Sequence, residues 1–229
     1  MTSVDFQSAS AVLLLLAHDM RNPTATVRAN LDFVEKAMPS VSNNRALTEI
    51  NEALADSSGA VDEIARALDN LQTIARWIAG EPPASSAAGD AAPVLQGLRT
   101  RSRSCPISVE VHDPALRVNA LAQFTRVLDI WIENAEQHAP GKPIYIQTLA
   151  NKTHITIEMH DKGRAIAPEL RSVAFTPDGQ HIIKTRVDGR YSRCLGLFAA
   201  KLHADAIGAA LEADGQDGNA IFRLKIAQT

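Results

Sequence analysis

One segment near the N-terminus combines side chains that could carry out group-transfer chemistry. Residues 16–23 read Leu-Ala-His-Asp-Met-Arg-Asn-Pro, so His18 is followed directly by Asp19, and Asn22 lies four positions after the histidine. A carboxylate beside an imidazole can keep one ring nitrogen protonated and leave the other free to act as a nucleophile. On a helix, residues four apart share a face, which would bring Asn22 beside His18. The alternative is that the His-Asp pair is simply part of a solvated helix surface.

Two long helices are predicted to carry this segment. Apolar or small residues recur in alternating steps of three and four over residues 6–38, which predicts a helix with a heptad seam. Pro23 lies inside this helix and is expected to bend it. The same spacing predicts a second helix over residues 45–79. Its seam consists of Leu47, Ile50, Leu54, Ser57, Val61, Ile64, Leu68, Leu71, Ala75 and Ile78.

The two helices are predicted to form an antiparallel hairpin over residues 1–79, because a short turn at 39–44 joins them. Each helix has only one partner within such a hairpin, and an apolar seam of roughly 50 Å needs more cover than one helix provides. Two hairpins that pair into a four-helix bundle satisfy both seams. We therefore expect a homodimer through the helical hairpin.

The composition and the periodicity change after the hairpin. Residues 80–92 are rich in Gly, Pro, Ala and Ser and are predicted to be a linker. Residues 93–229 mix short alternating patterns with helical ones, which predicts a two-layer α/β sandwich and an α+β chain as a whole. Strands are expected near 107–111, 144–148, 154–159, 209–213 and 220–226, and helices near 119–138, 167–173 and 195–206. The stretch that ends at about residue 194 is expected to be irregular.

Composition excludes several classes of function. The 229 residues carry a formal net charge of -3, which gives no electrostatic reason to expect nucleic acid as a partner. The longest purely apolar run, Ala11 to Ala17, is far shorter than the roughly 20 residues that span a bilayer, so no membrane insertion is expected. Two cysteines without CxxC spacing exclude a disulfide framework and a zinc site of that type, and they fit a reducing, cytoplasmic location.

The segment around His18 resembles the phosphoacceptor box of two-component sensor histidine kinases, which reads His-Glu/Asp-Leu-Arg-Thr/Asn-Pro. The hairpin is similar to the dimerisation and phosphotransfer domain of that family. The resemblance implies that His18 carries a phosphoryl group, that Asp19 is the adjacent base, and that Asn22 orients a water that dephosphorylates a partner. That partner would be the receiver domain of a response regulator.

Residues 93–229 are similar to the ATP-binding domain of the same family, a fold shared with gyrase, the ninety-kilodalton heat-shock chaperone and mismatch-repair ATPases. The resemblance implies that Asn134 ligates magnesium, a hard cation that prefers oxygen donors. It also implies that Asp161 accepts a hydrogen bond from the adenine amino group, and that Gly163 and Gly196 belong to the nucleotide-binding boxes. ATP and Mg are the cofactors that follow from this likeness.

The boxes depart from the family pattern mainly where phosphates would bind. Ile130 replaces a polar asparagine, and Ala165 replaces the second glycine of the box that contains Gly163. Ser192 and Cys194 replace two glycines of the box that contains Gly196. Glycine is the residue that lets a backbone curl closely around phosphates, so the adenine end is expected to be preserved and the phosphate end weakened.

Three functional hypotheses remain at this point. In the first, the protein is a phosphotransferase of a phosphorelay, and His18 exchanges phosphoryl groups with receiver aspartates. In the second, it is an active cytosolic histidine kinase that phosphorylates His18 from ATP and Mg. In the third, it is a dimeric docking or regulatory module without enzymatic activity.

Overall fold

The protein was analysed as a computed structural model. It describes residues 6–38, 44–81, 87–102, 104–112, 116–151, 153–185, 195–216 and 219–227, with the backbone alone at 6–19, 21, 44, 184 and 185. The helices are α1 (Phe6–Ala37), α2 (Asn44–Ile78), α3 (Ala91–Gly97), α4 (Leu121–His138), α5 (Pro177–Thr185) and α6 (Gly196–Ala206). The strands are β1 (Gly89–Asp90), β2 (Ile107–Glu110), β3 (Arg117–Val118), β4 (Ile144–Ala150), β5 (His154–Arg164), β6 (Ala209–Gln216) and β7 (Asn219–Ala227).

Helices α1 and α2 pack along each other as the predicted hairpin. The side of α2 that is buried differs from the predicted seam in an informative way. Its buried residues are Ile50, Ala53, Ser57, Ala60, Ala67, Asn70 and Ile74. The seam positions Leu47, Leu54, Val61 and Leu68 are instead 46–52% exposed. Small alanine side chains fill the contact with α1, so half of the large apolar side chains of the seam stay outside the hairpin.

The second part of the chain is a two-layer α/β structure. Five strands form one sheet in the order β2-β4-β5-β7-β6, in which β2 and β4 are parallel and the other neighbours are antiparallel. One face of the sheet is covered by α4 and α6, where Trp131 is fully buried and stacks on Phe222 at a ring-centroid distance of 5.9 Å. The prediction of an α+β chain with a two-layer sandwich is confirmed.

Three local predictions need correction. The stretch expected to be irregular contains α5, a helix of nine residues. The last residues of the expected linker, 89–92, form β1 and the start of α3, because Gly89 and Asp90 pair with β3. The helix expected near 167–173 is a single 3₁₀ turn, Pro168–Leu170.

The hairpin and the α/β layer are in contact through α2 and α6. Leu195, Phe198 and Leu202 pack against Ile74 of α2, and the rings of Trp77 and Phe198 meet edge to face at 5.4 Å. Helix α5 lies beside α1. These contacts bring the segment around Asn22 close to α4 and α6. Within the described part of the chain, no helix is both long and apolar enough to cross a membrane.

Candidate functional site

Helix α1 carries the predicted phosphoacceptor segment in its first half. His18 and Asp19 lie within α1, one helical turn before Asn22, and their side chains are outside the described residues. The Asn22 side chain belongs to an exposed residue, whereas Pro23 is buried. The helical rise therefore separates the Cα atoms of His18 and Asn22 by about 6 Å along the axis of α1.

Pro23 does not interrupt α1. A proline in a helix removes one backbone donor and crowds the preceding turn. Two threonine hydroxyls donate hydrogen bonds to carbonyls of the turn that precedes Pro23. Thr24 Oγ1 donates to the carbonyl of Met20 at 2.7 Å, and Thr26 Oγ1 donates to that of Asn22 at 3.2 Å. Side-chain bonds of this kind to the previous turn slightly destabilise a helix and often bend it, so they add to the perturbation that Pro23 causes next to Asn22.

A cavity of about 100 Å³ lies between the hairpin and the α/β layer. It brings Asn22 and Pro23 of α1 together with Asn134 of α4 and Gly196 of α6. A Cβ atom at Gly196 would lie 3.7 Å from Asn134 Oδ1, so these two predicted nucleotide-site residues are direct neighbours. The C-terminal end of the predicted phosphoacceptor segment, Asn22 and Pro23, thus lines the same cavity as two residues of the predicted nucleotide site, Asn134 and Gly196.

Asn134 is positioned by the buried face of α4. It is 7% exposed, and its Nδ2 group has no hydrogen-bond partner among the described residues. A buried donor without a partner is unfavourable by about 1–3 kcal/mol, so a ligand acceptor at this place would be favoured. In the orientation described, Asn134 offers a donor to the cavity.

A network of polar and charged side chains lies beside the same cavity, and Asn70 and Glu133 of this network line it. Arg126 donates to Glu133 Oε1 at 3.1 Å along α4, and its other terminal nitrogen lies 3.5 Å from Asn70 Oδ1 on α2. Asp69 of α2 is 4.0 Å from the same guanidinium. Burial raises the pKa of the Glu133 carboxyl above its ordinary value, and Arg126 acts in the opposite direction. Arg126 therefore links α4 to α2 beside Asn134.

Asp161 lies on β5 and is 2% exposed. The backbone N–H of Gly163 donates to its Oδ1 at 2.6 Å, and Oδ2 has no partner among the described residues. Burial raises the pKa of this carboxyl to about 6. A buried carboxylate oxygen without a donor is what recognition of a ligand amino group requires.

Asp161 and Asn134 do not line the same cavity. Asp161 borders a second one of about 330 Å³, together with Tyr145, His160 and Lys162. The four predicted nucleotide-site residues thus form two pairs, Asp161 with Gly163 and Asn134 with Gly196. Ligand cavities generally begin at about 300 Å³, so the smaller cavity beside Asn134 cannot hold a whole nucleotide in this arrangement.

The departures from the family pattern have structural consequences. Ile130 is 1% exposed and packs with Ala199 and Ala200 of α6, so it serves the contact between the two helices. A Cβ atom at Gly215 would lie 2.3 Å from the methyl carbon of Ala165, so that methyl group is accommodated opposite a glycine. Ser192 and Cys194 lie outside the described residues.

Sequence reasoning missed the contribution of α2 to the cavity. Glu63, Arg66 and Asn70 line it from the hairpin side, and Gln137 lines it from α4. The first three are spaced three and four residues apart, which places them on one face of α2. The sequence does show three polar residues at helical spacing within α2. It does not show which other element packs against them.

The donor set can be compared with what ATP and magnesium require. The unpaired Oδ2 of Asp161 fits the amino group of an adenine, and the unpaired Nδ2 of Asn134 fits an anionic oxygen. Over the described ranges, no group of three or more His, Cys, Asp or Glu side chains is arranged to hold a metal ion. The residues present fit the base and one phosphate contact, while magnesium would depend on Asn134 and the ligand.

Comparisons with known proteins agree with this architecture. Residues 120–229 match the family of histidine kinase-, DNA gyrase B- and HSP90-like ATPases. An alignment of 223 residues, which covers 92% of this chain, is 25% identical to the sensor histidine kinase MtrB of Mycolicibacterium paratuberculosis. The chain spans 38% of the length of that relative.

Two solved structures have a similar fold over most of the chain. Histidine kinase ThkA, determined in complex with the response regulator protein TrrA, is 16% identical, with a TM-score of 0.57 over 93% of this chain and 60% of its own. A bacterial phosphotransferase is 12% identical, with a TM-score of 0.50 over 98% of each chain. These likenesses establish the fold, a helical hairpin followed by the ATPase-type sandwich.

Proposed function

We propose that this chain, which carries a histidine kinase catalytic core, is a two-component phosphotransfer protein. Its residues 120–229 match the ATPase family of histidine kinases, gyrase B and HSP90. In this proposal His18 carries a phosphoryl group and exchanges it with the aspartate of a response-regulator receiver domain. The protein acts as a cytoplasmic homodimer through the hairpin. The family likeness supports a transferase of this type, and the direction of transfer is part of the proposal.

The proposed step is a phosphoryl exchange between two side chains. A free ring nitrogen of His18 attacks the phosphorus of the receiver's aspartyl phosphate, a nitrogen–phosphorus bond forms, and the oxygen–phosphorus bond breaks. The receiver carboxylate leaves with the electron pair, and the proton on the other ring nitrogen passes to Asp19. The reverse step returns the group to a receiver. Asn22 holds the water that hydrolyses the aspartyl phosphate, since an amide can orient water without titrating.

The observation that carries the proposal is the cavity shared by Asn22 and Asn134. It connects the helix of His18 to the phosphate end of the ATPase-type domain, yet its volume of about 100 Å³ suits a phosphoryl group and not a nucleotide. A phosphoryl group that arrives with a visiting receiver does not need the nucleotide cavity. Ser192 and Cys194 support the same proposal. They stand where the family pattern has glycines, which would weaken a phosphate-binding loop, whereas the phosphoacceptor segment keeps its pattern.

The exposed stripe of α2 supports the homodimer. Leu47, Leu54, Val61 and Leu68 follow each other at intervals of seven residues and lie on the outside of the hairpin. A heptad repeat of exposed apolar side chains is the arrangement that a second helical hairpin would cover. The same pairing would complete the four-helix bundle expected from the sequence.

Autophosphorylation from ATP is the second candidate function, and the geometry of Asp161 favours it. Its buried carboxylate with one unpaired oxygen is suited to bind a base amino group. ATP, when bound, would supply a terminal phosphoryl group for His18, and Asn134 would contact its magnesium. For this candidate the hairpin must move away from Asn134 to make room for a nucleotide.

Two incubations separate the candidates. The full chain is incubated with labelled ATP and magnesium, and in parallel with each receiver domain of the source organism, phosphorylated and labelled on its aspartate. His18→Ala is the variant that must lose the label, and Arg45→Met is a matched surface control.

Acid-labile label that comes only from a phosphorylated receiver, and that His18→Ala abolishes, is the expected result. Label from ATP alone would overturn the phosphotransferase in favour of the kinase. A folded protein that takes label from neither source would leave the docking module as the remaining hypothesis.

A further inference from the structure

The cavity beside Asn22 is lined by a cationic side chain, that of Arg66, to which the family resemblance assigns no role. Arg66 extends from α2 into this space, and its Nε group is buried without a hydrogen-bond partner in the described part of the chain. Asn134 contributes a second buried donor without a partner, from the opposite side. Two buried donors without hydrogen-bond partners, on different elements, line one small cavity, which is an arrangement suited to the oxygens of an anion.

The N-terminus of α6 forms a third side of the cavity. Gly196 is the first residue of this helix of eleven residues and lines the space directly. When the Gln180 amide is turned toward α6, its oxygen accepts from the N–H groups of Leu197 and Phe198 at 3.2 Å. Gly196, the residue before these two, lines the cavity. The positive end of the helix dipole favours negative charge here.

Two carboxylates, those of Glu63 and Glu133, also line the cavity. Arg126 donates to Glu133 at 3.1 Å, and Arg66 acts on the same carboxylate through space, with no hydrogen bond from its buried Nε group among the described residues. The groups left without partners are donors, which is the pattern for a ligand with acceptor oxygens. The volume of about 100 Å³ is enough for several water molecules, so the space has room for one phosphoryl group.

We propose that Arg66, Asn134 and the N-terminus of α6 hold the oxygens of a phosphoryl group in transfer to or from His18. This inference rests on the proposed function and adds the positioning residue that was missing from it. Arg66 supplies from the hairpin the fork of donors that a glycine-rich loop supplies elsewhere by its backbone. The phosphoryl group thereby bridges the hairpin and the ATPase-type domain next to Asn22.

The test measures binding of inorganic phosphate to the full chain, so that it does not depend on catalysis. Phosphate is titrated and the line width of its phosphorus resonance is followed for wild type, Arg66→Met, Arg66→Lys and Arg45→Met. Arg45 lies on the same helix, is largely exposed and pairs only with Glu49 among the described residues. Loss of a charge-assisted hydrogen bond should weaken binding about tenfold in Arg66→Met.

Arg66→Lys should recover part of this loss, because it restores the charge without the planar fork. Gly196→Ala gives an independent check. Its Cβ atom would meet Ile130, Asn134 and Asn70 at ordinary distances of 3.6, 3.7 and 3.9 Å, so the fold tolerates it, while the methyl group takes space from the ligand. We expect weaker phosphate binding in this variant as well.

Equal phosphate binding by wild type and Arg66→Met, or no binding by wild type at millimolar phosphate, would overturn the inference. A parallel arm titrates ATP. A tenfold loss for phosphate with unchanged ATP binding assigns the site to a phosphoryl group that does not come with a nucleotide.

The two proposals can fail separately. If phosphate binding depends on Arg66 but neither a receiver nor ATP labels His18, the anion site stands and the proposed function fails. If His18 is labelled at an unchanged rate in Arg66→Met and phosphate binding is also unchanged, the function stands and the role of Arg66 is wrong.

Discussion

The backbone N–H of Gly163 donates to one carboxylate oxygen of Asp161 at 2.6 Å, while the other oxygen of this 2% exposed side chain has no partner among the described residues. The single hydrogen bond orients the carboxyl group but does not compensate for its burial. Burial accordingly raises the pKa of Asp161 to about 6. Such a group destabilises the folded state when it is ionised, which is the arrangement expected of a residue kept for a ligand.

Replacing Asp161 by Asn should stabilise the protein at pH 8. With a pKa raised from 3.8 to about 6, the folded state disfavours the ionised form by at most about 3 kcal/mol above pH 6. This penalty shrinks as the pH falls from 6 to 3.8 and vanishes below 3.8, where both states become protonated. The advantage of Asp161→Asn in urea unfolding should therefore shrink from about 1–3 kcal/mol at pH 8 to less than about 1 kcal/mol at pH 4.

Asp214→Asn is the matched control for this experiment. The pKa of Asp214 is lowered, chiefly by its hydrogen bond from Arg223, so this carboxylate stabilises the folded state when ionised. Asp214→Asn should destabilise the protein at pH 8, which is the opposite sign. A stability difference for Asp161→Asn that does not change between pH 8 and pH 4 would contradict the assigned burial.

The hairpin and the sheet were predictable because their signals are local. Alternation of apolar residues placed all five strands of the main sheet, and the three-four spacing placed α1 and α2 to within two residues. Helix α5 had a local signal that was overlooked. Thr176 caps it by accepting from the N–H of Gly179 at 3.1 Å, and Pro177 and Asp178 occupy its first turn.

The parts of the site that the sequence did not predict are those that depend on tertiary contacts. The sequence could not show that Arg66 of α2 lines the same cavity as Asn134 of α4, because 68 positions separate them along the chain. Nor could it show that Ala165 is accommodated by Gly215. The same reason explains the seam of α2, since its contacts with α1 and α6 together decide which of its apolar side chains are buried.

Acid should weaken the contact between α2 and α6 through His203. This histidine lies 3.5 Å from Thr73 Oγ1 of α2, and its Nδ1 is buried without a partner among the described residues. Burial, with Arg126 nearby, lowers its pKa from 6.5 to about 4. The folded state thus resists protonation, and stability is lost as the pH falls from 6.5 toward 4.

The change in unfolding free energy between pH 7 and pH 5 measures this effect. We expect it to be about 2 kcal/mol smaller in His203→Gln than in wild type, because only the wild type must keep a neutral imidazole. His154→Gln, at an exposed position on β5, should behave like wild type. An identical pH dependence in His203→Gln and wild type would show that this ring does not control the contact.

Charges placed on the exposed stripe of α2 should separate the proposed dimer. Leu54→Glu combined with Val61→Glu puts two carboxylates at positions that each subunit would bury in the four-helix bundle. Burial of each such side chain contributes about 1.5–3 kcal/mol, so the dissociation constant should rise at least about 100-fold. Sedimentation equilibrium measures it. Leu149→Glu, at an exposed apolar position of β4, should leave the mass unchanged, and a monomeric wild type would refute the dimer.

Asn22→Ala should slow the dephosphorylation of a receiver while sparing the exchange of phosphoryl groups through His18. The Asn22 amide is exposed beside the cavity and, in the proposal, only orients the water that attacks the aspartyl phosphate. Loss of an orienting group typically slows such a step about 100-fold, while the nucleophilic nitrogen of His18 is unaffected.

Thr26→Ala is the control because it removes the hydroxyl that donates to the Asn22 carbonyl at 3.2 Å and leaves the amide in place. The decay of labelled aspartyl phosphate measures the hydrolysis, and the label on His18 measures the exchange. Equal slowing in both variants would trace the effect to the helix backbone, and equal loss of hydrolysis and exchange in Asn22→Ala would show that the amide acts on His18 itself.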